Sequence, residues 1–221
     1  MKRKAKGMIV NMLKIYPMPL GDYQANCYIL SIENKALIVD PGDEASKIIT
    51  YIKTKGLEPV ACLLTHGHFD HIGALKGVQA KYKIPIYAHK DETEYFTNSG
   101  YNLSWKSGRT PIEFQDLSAF NFIESEQIIE LLNQTINVYH VPGHSLGSIA
   151  FYFKDNGILL SGDALFKGSI GRTDLINGNH AQLIKSIETK LFTLPSSTIV
   201  YPGHGMATTI ADEKNNNPFF K

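Results

Sequence analysis

The chain has 221 residues, enough for one large domain or two small ones, and either can bury a core without disulfide bonds. Charged residues make up 19% of the sequence, hydrophobic residues make up 43%, and the formal net charge is +1. This composition is that of an ordinary globular protein, and it excludes a nucleic-acid partner held by bulk electrostatics, which needs a basic face.

The cysteines and the N-terminus indicate the compartment. Cys27 and Cys62 have no CxxC partner and lie in strand-like runs, so we expect two small core residues in a reducing cytoplasm. Residues 1–11 are basic and then briefly apolar, without the sustained apolar region or cleavage site of a signal peptide. We predict a flexible N-terminal extension over residues 1–11, a single domain over residues 12–221, and no contact with a membrane.

In the first half, the sequence alternates between strand and helix patterns. Continuous apolar runs of strand length are bounded by turn residues, and other segments repeat apolar residues at helical spacing. The predicted elements are strands over residues 26–32 and 36–39, a helix over 44–55, a strand over 60–64, a helix over 72–83 and a strand over 84–88. This alternation favours a layered α/β fold.

Residues 97–118 lack a regular period, because Asn98-Ser99-Gly100 and Thr110-Pro111 interrupt it. A long irregular segment within a compact domain is more often a functional loop or lid than filler. We therefore expect this segment near the functional site.

The second half returns to strand patterns. Asn156-Gly157 is a strong hairpin signal between two apolar runs. The predicted elements are strands over residues 128–132, 135–141, 149–153 and 158–161, a helix over 181–194 and a strand over 198–201.

The densest chemical signal is the run Thr65-His66-Gly67-His68-Phe69-Asp70-His71, which follows the predicted strand over 60–64. The side chains of His66, His68, Asp70 and His71 can all bind a metal ion. Polar residues so closely spaced on a strand-to-helix loop cannot pack as an apolar face. A histidine-rich turn capped by Asp70 is the structural alternative.

Three isolated residues extend this pattern, and each comes just after a predicted strand. They are His144 in Pro142-Gly143-His144, Asp163 after Ser161-Gly162, and His204 in Pro202-Gly203-His204-Gly205. Open α/β sheets gather their ligands at the carboxyl ends of strands. With the first run, these residues supply seven ligands, the number that two metal ions need when they share one carboxylate.

The types of ligand divide the set into two sites. Three nitrogen ligands, His66, His68 and His144, are typical of catalytic zinc with an open position. Asp70, His71 and His204 form a mixed oxygen and nitrogen site, and Asp163 bridges the two ions with room for a bridging hydroxide. The cofactors are thus expected to be two divalent ions per chain, with zinc favoured and iron or manganese also suited to these ligands.

These motifs, in this order, resemble those of the metallo-β-lactamase superfamily from about Met12 onward. Within it, the segments around His66, His144 and Asp163, and the stretch 168–174, are similar to glyoxalase II-type thioesterases, and residues 213–220 are similar to the end of its short bacterial branch. The resemblance implies an αββα sandwich, an α/β fold of four layers, with a dinuclear site at one edge of the two sheets.

The resemblance also implies an activity, namely hydrolysis of a small acyl thioester such as an S-2-hydroxyacylglutathione. Asp70 and Asp163 are then catalytic as well as metal-binding. Full-length glyoxalase II enzymes carry a further helical domain that grips glutathione, and this sequence ends at Lys221. Where those enzymes have a glutathione-contacting lysine and a nearby tyrosine, this sequence has Arg172 and Asp174.

Several residues have two interpretations. Arg172 and Lys167 either hold a substrate carboxylate or are solvated surface charges. Asp40 either orients a ligand histidine or serves only its turn. We expect His140 to be a buried structural histidine, and we expect exposed side chains at the two remaining histidines outside the motifs, His89 and His180.

Three other functions remain open for this ligand set. Two are hydrolytic, a lactonase and a β-lactamase, although many β-lactamases use a cysteine where this sequence has Asp163. The third is a mononuclear iron oxygenase that acts on persulfides. We expect a small-molecule substrate and a monomer or homodimer.

Overall fold

The computed structural model describes residues 12–108 and 110–221, so the predicted extension over residues 1–11 lies outside the described part. The first sheet has six strands, which follow one another in space as they do in sequence. They are Lys14–Leu20 (β1), Ala25–Ile32 (β2), Lys35–Val39 (β3), Glu58–Leu63 (β4), Ile86–His89 (β5) and Phe120–Ile123 (β6). Strands β1 to β3 are antiparallel, and β3 to β6 are parallel.

The second sheet also has six strands, in the spatial order β14-β13-β10-β9-β8-β7. They are Gln127–Leu131 (β7), Gln134–His140 (β8), Ile149–Phe153 (β9), Ile158–Gly162 (β10), Ile199–Pro202 (β13) and Thr208–Thr209 (β14). Leu165–Phe166 (β11) and Ser169–Ile170 (β12) form a separate hairpin. Strand β13 is parallel to β10, and the other pairs in this sheet are antiparallel.

Helices cover the outer face of each sheet. They are Ala45–Thr54 (α1), Phe69–Ile72 (α2), Leu75–Tyr82 (α3), Thr93–Thr97 (α4), His180–Thr189 (α5) and Ile210–Asn216 (α6). Helices α1 and α3 pack on the first sheet, and α5 packs on the second. Among the described residues, no helix has the length and apolarity to span a membrane.

Alternation along the strands explains the layers, because successive side chains of a strand point to opposite faces. Cys27 and Cys62 are fully buried beneath α1 and α3, as expected of core residues. Their sequence neighbours Tyr28 and Leu63 point the other way and pack against the second sheet, for instance on Phe151. Both faces of the first sheet are therefore apolar, and the result confirms the expected αββα sandwich.

Most predicted elements are present, including the hairpin at Asn156-Gly157, where Gly157 has a φ of +63°. The predicted helix over 72–83 is present as α3, but it begins at Leu75, and Ile72 instead ends the short helix α2. Gly73 lies between the two helices, where a Cβ would lie 2.2 Å from the carbonyl oxygen of Gly42. The predicted helix over 181–194 ends at Thr189, and a 3-10 turn follows it.

Two strands of the first sheet, β1 and β6, were not predicted from the sequence. Strand β1 contains Pro17 and Pro19, residues that argue against a central strand. It pairs with β2 alone, at the edge of the sheet, where a missing backbone donor is tolerated. The predicted pattern thus failed because it took no account of a strand's place in the sheet.

Candidate metal centre

Four loops at the carboxyl ends of strands meet at one edge of the sandwich. Strand β4 leads into the loop with His66 and His68, and then into α2 with Asp70 and His71. Strands β8, β10 and β13 lead to His144, Asp163 and His204, respectively. Because β4 is parallel to β3, and β13 is parallel to β10, each sheet delivers several polar side chains to the same edge.

The structure brings all seven predicted ligands together. They form three groups in which one ligand atom per residue lies within 4.8 Å of the others: His66, His68 and His144; His66, His71 and Asp163; and Asp70, His71 and His204. We call the first group the three-histidine half and the last group the carboxylate half. Asp163 lies between them, with carboxylate oxygens 3.4 Å from His71 Nε2, 3.6 Å from His204 Nε2 and 3.7 Å from His144 Nε2.

Asp40 holds two residues, Thr65 and His71, in place by hydrogen bonds. Its Oδ2 accepts hydrogen bonds from Thr65 Oγ1 at 2.6 Å and His71 Nδ1 at 3.1 Å, and its Oδ1 accepts from the Thr65 backbone amide at 2.8 Å. Thr65 Oγ1 is in turn 3.1 Å from His66 Nδ1. With Nδ1 engaged in this way, Nε2 of His66 and of His71 remains free to bind an ion. This geometry favours the orienting role over the role of Asp40 in its turn alone.

Backbone carbonyls orient two further histidines. His144 Nδ1 donates to the carbonyl oxygen of Arg172 at 2.8 Å, and His204 Nδ1 donates to that of Tyr23 at 3.1 Å. In the neutral form of each ring, Nε2 is then the unprotonated nitrogen, and that of His144 lies 2.9 Å from His68 Nδ1. Four of the five histidines thus have one ring nitrogen engaged by the protein and the other left for a cation.

Unpartnered buried atoms test whether a metal ion fits the centre. His66 Nε2, His71 Nε2 and Asp163 Oδ1 are buried without a hydrogen-bond partner. Leaving such atoms unpaired costs free energy, and nitrogen and carboxylate donors of this kind suit zinc, iron or manganese. The donor set therefore fits two divalent cations.

The two halves differ in electrostatics. Burial and the neighbouring imidazoles hold the pKa of His66 well below its ordinary value and lower the pKa of His68 to about 3. Burial also lowers the pKa of His144. All three rings are therefore neutral near pH 7, the state in which an imidazole binds a metal.

In the carboxylate half, the shifts run the other way. Burial lowers the pKa of His71, but the carboxylates of Asp163 and Asp70 outweigh it, and the result lies well above the ordinary value. Burial likewise lowers the pKa of His204, and a hydrogen bond to Asp70 raises it above the ordinary value. Burial raises the pKa of both carboxyl groups, but the charge of His71 outweighs it and keeps both acids ionised.

The backbone around Asp163 leaves no room for side chains. A Cβ at Gly203 would lie 2.0 Å from Asp163 Oδ1, and a Cβ at Gly171 would lie 1.8 Å from the Asp163 carbonyl oxygen. Glycine at these two positions lets their loops approach Asp163 closely, one at its carboxylate and the other at its backbone.

A cavity of about 400 Å³ opens onto the centre. Apart from centre residues, its walls are Tyr23, Phe69, Leu103, Phe166, Ser169, Ile170, Arg172 and Leu175. Of the two basic residues predicted to bind substrate, Arg172 lines this cavity and Lys167 borders a separate depression beside α6. Leu103 lines it from the segment 97–118, as expected of a segment near the site.

The side chain of Arg172 is already paired. Its Nε and Nη2 donate to the two oxygens of Asp174 at 2.9 and 2.8 Å, and both side chains are mostly exposed. Through its carbonyl oxygen, the same residue orients His144.

The expectation of an exposed side chain is wrong for His89 and confirmed for His180. His89 is buried and stacked on the half-buried His140, with centroids 4.2 Å apart and planes 11° apart. Asp91 completes a group with metal-binding side chains. In-plane lone pairs of two parallel rings do not converge on one point, and His140 Nε2 already donates to Leu146 O at 2.8 Å. This arrangement is therefore a structural stack.

Glu92, which has no motif around it, is the residue that sequence reasoning missed. Its side chain is fully buried and accepts hydrogen bonds from Gly67, Ser145 and Gly147, residues of the two loops that carry the three-histidine half. Burial raises the pKa of Glu92 to about 7, against the effect of these hydrogen bonds. A glutamate directly before a short helix reads as surface charge in the sequence.

Comparison with known proteins gives the same family. The Metallo-beta-lactamase superfamily model matches residues 20–204. The probable metallo-hydrolase YqgX of Bacillus subtilis is 46% identical over 202 residues, which cover 91% of this chain and 95% of that protein. The hydroxyacylglutathione hydrolase GloC of Haemophilus influenzae is 35% identical, over 94% of this chain and 98% of that protein.

Two solved structures have the same fold. One is BLEG-1, described as a B3 metallo-beta-lactamase, with 41% identity and a TM-score of 0.90 over 94% of this chain and 99% of that one. The other is TTHA1623 in a di-iron-bound form, with 36% identity and a TM-score of 0.81 over 92% of this chain and 99% of that one. The chain therefore belongs to the metallo-beta-lactamase superfamily.

Proposed function

We propose that this member of the superfamily is a metal-dependent hydrolase of small acyl thioesters that uses two divalent ions, with zinc as the favoured metal. The observation that carries this proposal is the convergence of seven metal-binding side chains on one cavity, with four histidine rings oriented by the protein. Such a site with an open cavity is suited to hydrolysis rather than to a structural metal.

In this proposal, the three-histidine half would hold one ion and the carboxylate half would hold the other, with Asp163 available to both. When bound, two such ions lower the pKa of a coordinated water and polarise a carbonyl oxygen. The protein's own part is to fix the donors: Asp40, Thr65 and two backbone carbonyls hold the rings. Iron is an alternative metal, and it is supported by the di-iron form of TTHA1623.

Asp70 is the residue proposed to move protons. It lines the cavity, its side chain is 16% exposed, and its Oδ2 lies 3.2 Å from His204 Nε2. Since its pKa is lowered, Asp70 is ionised at neutral pH. It would therefore accept a proton from the attacking water as the water oxygen bonds to the carbonyl carbon, and would return that proton to the sulfur atom as the C–S bond breaks.

The walls of the cavity favour a thioester with an uncharged, partly apolar group at the scissile bond. Phe69, Leu103 and Phe166 give the walls an apolar surface. The Arg172 guanidinium is occupied by Asp174, so it offers little to a substrate anion. The likeness to GloC supports thioester chemistry, and S-2-hydroxyacylglutathione is the first substrate to test.

A substrate panel on metal-analysed protein tests the proposal. We expect S-lactoylglutathione or a second acyl thioester, such as acetyl-coenzyme A, to give the highest kcat/KM, with two ions per chain. His68→Ala removes the activity, whereas Asp155→Asn, an exposed carboxylate in the turn before β10, retains it. The proposal fails if the fully loaded protein releases no thiol from any thioester.

The likeness to BLEG-1 favours a second candidate, β-lactam hydrolysis. A β-lactam in the same panel separates the two, because opening of the ring releases no thiol. Oxygen consumption with a persulfide substrate, measured with an oxygen electrode, tests the oxygenase function. Oxygen consumption with one iron per chain would favour that function over both hydrolases.

A further inference from the structure

We propose that Glu92 is a positioning residue for the three-histidine half, because its carboxylate joins the two loops that carry His66, His68 and His144. The inference rests on metal binding in the proposed function and not on the choice of substrate.

Three hydrogen bonds converge on this carboxylate. Oε2 accepts from the Gly67 amide at 2.7 Å. Oε1 accepts from the Gly147 amide and from Ser145 Oγ, both at 2.7 Å. Gly67 lies between two of the histidines, and Ser145 directly follows the third. One side chain therefore sets the distance between loops that are far apart in sequence.

The loops also close tightly on the side chain. A Cβ at Gly147 would lie 2.8 Å from Glu92 Cγ, and a Cβ at Gly67 would lie 3.0 Å from Glu92 Oε2 and 2.5 Å from the Cβ of Tyr95. The backbone of both loops thus approaches Glu92 where only glycine fits. A longer or shorter side chain at position 92 would change the separation of the loops.

Glu92 is itself held by elements outside the metal ligands. It ends a 3-10 turn, Lys90–Glu92, that follows β5, and α4 begins at the next residue. The stack of His89 on His140 ties the end of β5 to the end of β8, the strand that leads to His144. The position of Glu92 therefore does not depend on a bound ion.

The chemistry of the three bonds requires a carboxylate. All three partners are donors, and they are divided between the two oxygens. A glutamine has one acceptor oxygen, so its amide group would face either the Gly67 amide or the donors of the other loop. Burial of a carboxylate is costly, and the three hydrogen bonds to its two oxygens offset part of that cost.

A second buried glutamate provides the matched control. Glu213 is 3% exposed and accepts from the Gly168 amide, Thr208 Oγ1 and Asn217 Nδ2. It joins the β11–β12 hairpin to α6, away from the three-histidine loops. Glu213→Gln therefore makes the same chemical change in a comparable environment, without contact to those loops.

The experiment is titration of metal-free protein with Co²⁺, followed by calorimetry and by the visible spectrum of the bound ion. We expect Glu92→Gln to lower the affinity for one of the two ions by about 10–100-fold, which is the usual effect of losing a residue that holds a metal ligand in place. The visible spectrum of that ion should also change. Glu213→Gln should lower the Tm but leave both ions unchanged. Asp70→Ala removes a ligand of the carboxylate half and leaves the three-histidine half intact. In this variant, Glu92→Gln should still lower the affinity for the ion that remains.

If Glu92→Gln does not fold, Ser145→Ala serves instead. It removes one of the three donors and keeps both backbone amides, so we expect a smaller loss for the same ion. If Glu92→Gln and Glu213→Gln bound Co²⁺ with equal affinities and gave equal spectra, Glu92 would not be a positioning residue for the three-histidine half. Failure of the unmodified protein to bind any ion would overturn the metal centre itself, and absence of thioester turnover would leave this inference standing.

Discussion

The two halves of the centre share Asp163 but differ in burial and charge. In the three-histidine half, every ring is at most 3% exposed and the pKa values of the rings are lowered. In the carboxylate half, His204 is 28% exposed at its side chain, and the pKa values of both histidines are raised. The histidines of the first half are buried and neutral, whereas those of the second half carry protons that a cation has to displace.

The protonation state of a histidine in this centre thus depends on which residues surround it. Where histidines surround a histidine, burial and mutual repulsion remove its proton. Where carboxylates surround it, they keep the proton in place until a metal ion replaces it. We therefore expect sequential loading, with the first ion in the three-histidine half.

The largest effect is expected where the halves meet. Asp163→Ala removes the carboxylate that both halves contact. Activity should therefore fall by more than the roughly 100-fold expected when a residue that only holds a metal ligand in place is lost. Metal content should drop below two ions per chain while the fold, followed by circular dichroism, is retained. Full activity in a well-folded variant would contradict the shared site.

A change of pH should separate the halves. The raised pKa values mean that His71 and His204 stay protonated to higher pH, so binding of the second ion is lost as the pH falls. Each displaced proton lowers the affinity by about tenfold per pH unit. Calorimetric titrations at pH 8 and pH 6.5 should show a steeper loss for the second ion. Equal slopes for both ions would contradict the comparison.

Asp40→Asn should act more strongly on the carboxylate half, because Asp40 contacts His71 directly and reaches His66 only through Thr65. The new amide donates to His71 Nδ1, so that ring carries its proton on Nε2, the atom that faces Asp163. We expect the second ion to bind about 10–100-fold more weakly. Calorimetry measures both ions in one titration, and an equal loss in the first ion would show that Asp40 serves the whole centre.

The smallest effect is expected at the rim of the cavity. Arg172→Ala keeps the carbonyl oxygen that orients His144 and removes an exposed pair with Asp174, and such pairs contribute little. Metal content should not change, and KM for a neutral thioester should shift by less than about threefold. A large rise in KM would assign the guanidinium to the substrate.

Much of the fold followed from local sequence patterns. The apolar runs at 60–64 and 149–153 have strand length, and their two-sided apolarity predicts a sheet covered on both faces. Strand β1 was missed because its prolines are tolerated only at an edge. The break between α2 and α3 was missed because no local pattern shows that the Gly42 carbonyl, from a distant loop, lies close to Gly73.

The amino-acid sequence alone identifies the side chains available for metal binding, since a histidine- and aspartate-rich loop after a buried strand has few other uses. The protonation of these side chains depends on tertiary contacts. The proton on each imidazole depends on whether histidines or carboxylates surround it, and those neighbours come from four loops far apart in the chain. The tertiary structure also placed Glu92 between two of those loops. Its role follows from hydrogen bonds over long separations, which no local pattern encodes.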